Sequence, residues 1–209
     1  VNKIKTFAVA ALFALAASAH AGNLVTDGTF AGGSSVGSYG TYNIGDTFDA
    51  AWTVTGGSID LIGSYWTAPT GYSIDLDGSS PGAISQTLNL AAGTYLLTFD
   101  LAGNPDGGSA TKAVAVSSAA ATQDFSFVTT GHGHGNMGWV TESMVFTVTD
   151  ASVPTTLTFA SKDASGPYGA ALADISVTAV PEPASLGFLL AGIGMFGVMS
   201  SRRNRNRNL

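Results

Sequence analysis

The chain contains no cysteine. Disulfide staples, thiolate nucleophiles and thiolate metal ligands are therefore excluded, and an apolar core must hold the fold alone. Positive charge is nearly missing from the middle of the sequence. Between residues 23 and 180 the basic side chains are Lys112 and Lys162, against thirteen Asp and Glu. Such a surface repels phosphates, which excludes nucleic acid as a partner of this region. Glutamate is scarcer still: Glu142 stands alone there among twelve Asp. No stretch of 23–180 shows the 3.6-residue apolar period of an amphipathic helix.

Two long apolar runs stand at the ends. Lys3 and Lys5 precede an uncharged run from Phe7 to Ala17, and Ala19-His20-Ala21 gives a small-x-small cleavage pattern. This predicts a secretory signal over 1–21, with Val1 read from an alternative start codon. The second run, Ala184 to Ser201, is free of charge over 18 positions and Gly-rich, and Arg202, Arg203, Arg205 and Arg207 follow it. That length meets the lower bound for a membrane-spanning helix. The arginines form a basic stop-transfer tail that stays cytoplasmic, leaving 22–183 outside. Pro181-Glu182-Pro183 precedes the run, and its two prolines hold the chain extended and accessible.

Between the ends lie many short strand patterns. Tyr95, Leu97, Phe99 and Leu101 share one face and alternate with Leu96, Thr98 and Asp100; Met144, Phe146 and Val148, Leu157 and Phe159, and Ile175 and Val177 follow the same spacing. Shorter candidates fall at Trp52–Thr55, Ile59–Ile62, Ser73–Leu76, Ala83–Leu88, Ala113–Ser117 and Asp124–Thr129. Turn signals such as Asp77-Gly78 and Asn104-Pro105-Asp106-Gly107 separate them. About ten short strands argue for a sandwich or jelly roll. The span from Gly32 to Gly45 reads as a long loop. The expected division is 1–21 signal peptide, 22–180 β-sandwich domain and 181–209 sorting signal.

Pro-Glu-Pro, an apolar helix and an Arg-rich end, in that order, resemble the PEP-CTERM sorting signal of Gram-negative bacteria. The resemblance implies an exosortase, a membrane-bound cysteine enzyme, that recognises Pro181, Glu182 and Pro183 and removes the tail. It also implies transient inner-membrane anchoring, then a cell-surface or extracellular location. Asn23-Leu24-Val25-Thr26-Asp27-Gly28-Thr29-Phe30 opens like the first strand of galactose-binding-like jelly rolls, with Asp27 and Ala31 departing from that pattern. With Trp52–Ile62, Ile74–Gly78, Gly82–Thr87, Phe99–Asn104 and Ala173–Val177, the sequence resembles the choice-of-anchor C family of exported proteins. That family is similar to a domain-of-unknown-function group also found in plant cell walls. The resemblance implies an all-β, galactose-binding-like jelly-roll sandwich, flanked by a signal helix and a transmembrane helix.

Candidate chemistry is sparse. A glycosidase needs two facing carboxyl groups, and most of the Asp sit at turns or strand ends. Catalysis by a Ser-His-Asp set has no motif support. A structural Ca²⁺ needs clustered carboxylates and carbonyls; Asp27 and Asp174, on the presumed first and last strands, are the best pair. His132 and His134, two apart in a Gly-rich segment, would point the same way in an extended chain and could share a metal, or simply form an exposed loop. Aromatic rings near turns suit the apolar face of a pyranose, which nominates Tyr65, Trp66, Trp139 and Tyr168. Trp52 belongs to the core. The expectation is a non-catalytic surface or matrix protein associated with extracellular polysaccharide and bound to no cofactor. The alternative is a carbohydrate-active enzyme on the same scaffold.

Overall fold

The computed structural model describes residues 22–181, apart from 33, 34 and 50. The expected signal segment and membrane helix lie outside the described residues, among which no helix is long and apolar enough to cross a membrane. The described chain forms twelve strands: β1 (Tyr39–Asn43), β2 (Thr47–Phe48), β3 (Trp52–Gly56), β4 (Ser58–Ile62), β5 (Ser73–Asp75), β6 (Ala83–Leu88), β7 (Gly93–Gly103), β8 (Thr111–Ser118), β9 (Ala121–Val128), β10 (Val140–Val148), β11 (Thr155–Ser161) and β12 (Ala170–Ala179). They build two six-stranded antiparallel sheets, ordered β1-β4-β5-β12-β7-β10 and β2-β3-β6-β11-β8-β9. From β5 onward nearly every connection passes from one sheet to the other, the jelly-roll arrangement expected from the sequence.

Alternation drives the sandwich, because residues two apart share a face. In β7, Tyr95, Leu97, Phe99 and Leu101 are buried, and in β10 so are Met144, Phe146 and Val148. The register sets Met144 opposite Leu97 and Phe146 opposite Tyr95, whose rings stack at 5.5 Å. Phe99 meets Phe125 and Phe159 edge-on, with centroids at 5.1 and 5.2 Å. Trp52 is fully buried and donates its indole N–H to the Asp27 carbonyl at 3.1 Å, so its polar edge is satisfied.

Two expectations need correcting. The segment 23–30 is not a strand. Asn23 takes over part of the pairing: its side-chain amide donates to Ile175 O at 2.9 Å and its Oδ1 accepts from Val177 N at 3.0 Å. Asp27 and Phe30 then adopt φ of 49° and 56°. The Asp27 carboxylate gathers the N–H groups of Ala31 and Gly32 at 3.1 and 2.6 Å. Side-chain capture of backbone donors thus replaces the ladder. Conversely, the expected loop from Gly32 to Gly45 contains β1, an edge strand whose outward residues are polar or aromatic and carry no apolar period.

The outer face of the β1-containing sheet positions the site. Register places Thr41, Asp60, Asp75, Ala171 and Ala102 in one row across β1, β4, β5, β12 and β7. Tyr42, next to Thr41, packs inward on Phe48 at 5.3 Å. Thr41 and its whole row therefore face outward.

Candidate functional site

A cleft of about 310 Å³ opens on this outer face. Tyr39 and Thr41 of β1 and Asp60 of β4 supply its sheet side. Tyr65 and Trp66 come from the β4–β5 loop, Asn104 and Asp106 from the β7–β8 loop, and Tyr168 from the β11–β12 loop. Tyr39, Tyr65 and Tyr168 are 52, 36 and 37% exposed, so each offers ring surface to solvent.

Hydrogen bonds tie the loops together. Tyr65 donates its hydroxyl to Asp106 Oδ2 at 2.8 Å, and His134 Nε2 lies 2.7 Å from Oδ1 of the same carboxylate. The Tyr65 ring packs on His134 at 4.5 Å and meets Tyr39 edge-on at 5.5 Å. The bond to Asp106 is the main cause of a raised Tyr65 pKa, because it favours the neutral phenol. Asp106 N donates to Asn104 Oδ1 at 2.9 Å, and Asn104 Nδ2 donates to Asp75 Oδ2 at 2.7 Å. Asp75 Oδ1 accepts from Gly169 N at 2.9 Å and Asp77 N at 3.0 Å. One buried carboxylate therefore roots both the β7–β8 and β11–β12 loops.

Burial pushes the Asp75 carboxyl up to about 7, although the bonds from Asn104, Asp77 N–H and Gly169 N–H oppose this. Asp60 is raised in the same way, opposed by the Thr41 hydroxyl, which donates at 2.6 Å. Lys112 is fully buried. Its ammonium donates to Gly107 O at 2.7 Å and to Tyr168 O, clamping the same two loops. Burial also raises Asp77 and Asp163, and the Lys112 charge works against it at both. Gly107 lies under the Tyr168 ring so closely that a Cβ there would sit 2.7 Å from the ring edge.

The nominated aromatics divide. Tyr65 and Tyr168 wall the cleft. Trp66 also lines it but is buried at 4% exposure, with its indole N–H on Ser73 Oγ at 2.8 Å, so it backs the wall formed by Tyr65 and His134. Trp139 is not among the cleft residues; it lines a separate hollow with Met137 and Asn136, and donates to Thr67 O at 2.9 Å. Sequence reasoning did not nominate Asp60, Asn104 or Asp106.

His132 and His134 have different ring neighbours rather than a common one. His134 sits within a tight turn, Gly133 to Asn136, and His132 precedes it. His132 packs on Phe127 at 5.2 Å, and His134 on Tyr65. Asp27 and Asp174 do lie on neighbouring segments, because Ile175 N donates to Gly28 O at 2.9 Å. The Asp27 oxygens receive Thr29, Ala31 and Gly32, and Asp174 receives the Thr70 hydroxyl. The pair offers two carboxylates, where Ca²⁺ takes roughly six to eight oxygens. Among the described residues no group of three or more His, Asp or Glu could hold a metal. The expectation that Ser-His-Asp catalysis has no motif support needs correcting, since Gly-x-Ser-x-Gly spacing does occur, at 33–37 and 78–82. Both runs lead into strands, β1 and β6, where a nucleophile elbow needs a turn into a helix. Pro181 is exposed at the end of the described chain; Glu182, Pro183 and the four arginines lie outside it.

Several solved structures are similar. The module TmCBM61, in complex with β-1,4-galactotriose, matches at TM-score 0.46 and 16% identity over 76% of this chain and 99% of its own. A family 35 carbohydrate binding module from Clostridium thermocellum matches at 0.46 and 14% over 69% of this chain and 100% of its own. Among curated proteins, Halomucin of Haloquadratum walsbyi is 40% identical over 94 residues, which is 42% of this chain; the chain spans 1% of that protein's length. Residues 179–203 match the PEP-CTERM protein-sorting motif. Residues 23–178, most of the chain, match the model of DUF642, a protein family of unknown function, and the chain belongs to that family.

Proposed function

We propose that this chain is an exported, non-catalytic surface or matrix protein that binds extracellular polysaccharide through the cleft on the β1 sheet. The observation that carries the reading is the convergence of three part-exposed tyrosines with Thr41, Asp60, Asn104 and Asp106 around one cleft. Flat rings suit the apolar faces of pyranose units, and fixed carboxylate and amide groups suit their hydroxyls. The loops are tied down through Asp75 and Lys112 before any ligand arrives, which lowers the entropy cost of binding.

The sorting part of the proposal rests on the motif at 179–203. In it, 1–21 directs export, 22–180 is the working domain and 181–209 is a temporary inner-membrane anchor that an exosortase removes at Pro181-Glu182-Pro183. Membership in the choice-of-anchor C group belongs to the same proposal. A hydrolase reading gains from the carboxylates gathered at the cleft. Against it, Asp75 is buried under three donors, and Asp106 is occupied by Tyr65 and His134.

The test uses the full-length chain in a detergent without a sugar headgroup, screened against a polysaccharide panel for binding and for release of reducing ends. Binding without hydrolysis is expected, and Tyr39→Ala with Tyr65→Ala should abolish it. Hydrolysis, or binding indifferent to both tyrosines, would contradict the proposal.

A further inference from the structure

The described domain holds two lysines and no arginine, neither lysine lines the cleft, and both ammonium groups are already engaged. Lys112 is buried on the carbonyls of Gly107 and Tyr168, and Lys162 pairs with Asp124. Asp60 takes part in neither of the ion pairs found among the described residues. It is a half-buried carboxylate on the cleft wall, held by the Thr41 hydroxyl through Oδ1 at 2.6 Å. Tyr39, on the strand paired with β4, places an open ring at the same wall.

The charge balance restricts the ligand. A uronate or sulfate ester would bring a second anion toward Asp60 and Asp106, with no free cation of the domain to receive it. A neutral sugar would replace the water at the half-buried Asp60 with hydroxyl donors but would bring no opposite charge to it. An ammonium group answers both problems: it gives Asp60 a charge-assisted hydrogen bond and is attracted to a tyrosine ring face. Resting on the reading of this cleft as a polysaccharide site, we propose that it selects a glycan bearing free amines, a de-N-acetylated 2-amino sugar polymer, with Asp60 as the counter-ion and Tyr39 and Tyr65 as the ring contacts.

The experiment is titration calorimetry of the full-length chain with four hexasaccharides: β-1,4-glucosamine, its N-acetylated form, β-1,4-galactose and α-1,4-galacturonate. The free amine should bind about tenfold more tightly than the N-acetylated form, with the advantage shrinking as salt rises. The galacturonate should not bind. Asp60→Asn should remove the amine's advantage over the N-acetylated form, with a far smaller loss for the N-acetylated and galactose hexasaccharides, which touch Asp60 only through neutral hydroxyls. The comparisons on unaltered protein need no variant to fold. Neutral sugars binding as well as the amine, or an unchanged amine affinity in Asp60→Asn, would overturn the charge selection and leave the cleft reading standing. Galacturonate binding would do the same. Binding of no sugar at all would overturn both.

Discussion

Asp75 should make the protein less stable as the solution is brought from acid to neutral pH. Its side chain is 1% exposed, and burial holds its carboxyl near pH 7, against 3.8 for a free one. Between those values the folded chain keeps a proton that the unfolded chain has released. By linkage, stability then falls as pH rises. The contribution is fully present below about pH 4 and lost as pH passes through about 7. Holding that proton from about pH 4 up to about pH 7 corresponds to about 4 kcal/mol at most. For a chain of this size that is a drop in Tm of roughly 10 °C. Asp60 and Asp77 are raised by burial too and act in the same sense. Asp150, lowered by its bonds to Ser152, acts oppositely and only below about pH 4. Replacing Asp75 by Asn removes the titration. It also turns an amide N–H₂ toward Asn104 Nδ2 or displaces the N–H donors of Asp77 and Gly169, at a cost of about 1–3 kcal/mol. Asp75→Asn should therefore be less stable than wild type at pH 4–5 and lose less on going to pH 8. Thermal unfolding followed by fluorescence of the buried Trp52 and Trp66 reads this directly. A wild-type Tm that rises from pH 5 to 8, or an Asp75→Asn slope equal to that of wild type, would refute the reasoning.

Lys112→Met should cost roughly 3 kcal/mol, because it strips donors from two carbonyls and the nearby cation from Asp77 and Asp163; urea unfolding measures the loss, and faster proteolysis within 104–110 and 162–169 should accompany it. Phe99→Asp sets a charge among Phe125 and Phe159 and should destabilise by about 3–5 kcal/mol or prevent folding, seen as loss of the β-type circular dichroism spectrum. Glu182→Ala should leave the uncut, inner-membrane form to accumulate in cells; intact mass spectrometry would count against processing at this motif if surface-located wild-type protein still ended at Leu209.

The sandwich was legible wherever strands are long and one-sided. β6, β7 and β10 carry their alternation openly, because each buries one face while most of the other stays at least partly exposed. β1 was hidden because an edge strand of Tyr, Gly, Thr and Asn has no apolar phase to detect. The segment 23–30 misled because Asn23 and Asp27 satisfy backbone groups that a strand partner would otherwise take, something a pattern of residue types does not reveal. The cleft was half legible: Tyr65 and Tyr168 stand out as aromatics near turns. Asp106 meets Tyr65 across 41 positions of sequence, a pairing that only the jelly-roll crossings create. Lys112 did leave a signal. It shares the inward phase of Val114 and Val116 in β8, and a lysine in phase with a valine ladder announces a buried charge in search of acceptors.

The central claim is that the outer face of the β1 sheet receives a glycan. Oxidative footprinting of the full-length chain, with and without saturating β-1,4-glucosamine hexasaccharide, puts it to the most direct test. Tyr39, Tyr65 and Tyr168 should lose reactivity together on binding, while Trp139 and Val153, which line other hollows, should not change. Saturation with no protection of these tyrosines, or protection centred on Trp139 or Val153, would contradict it.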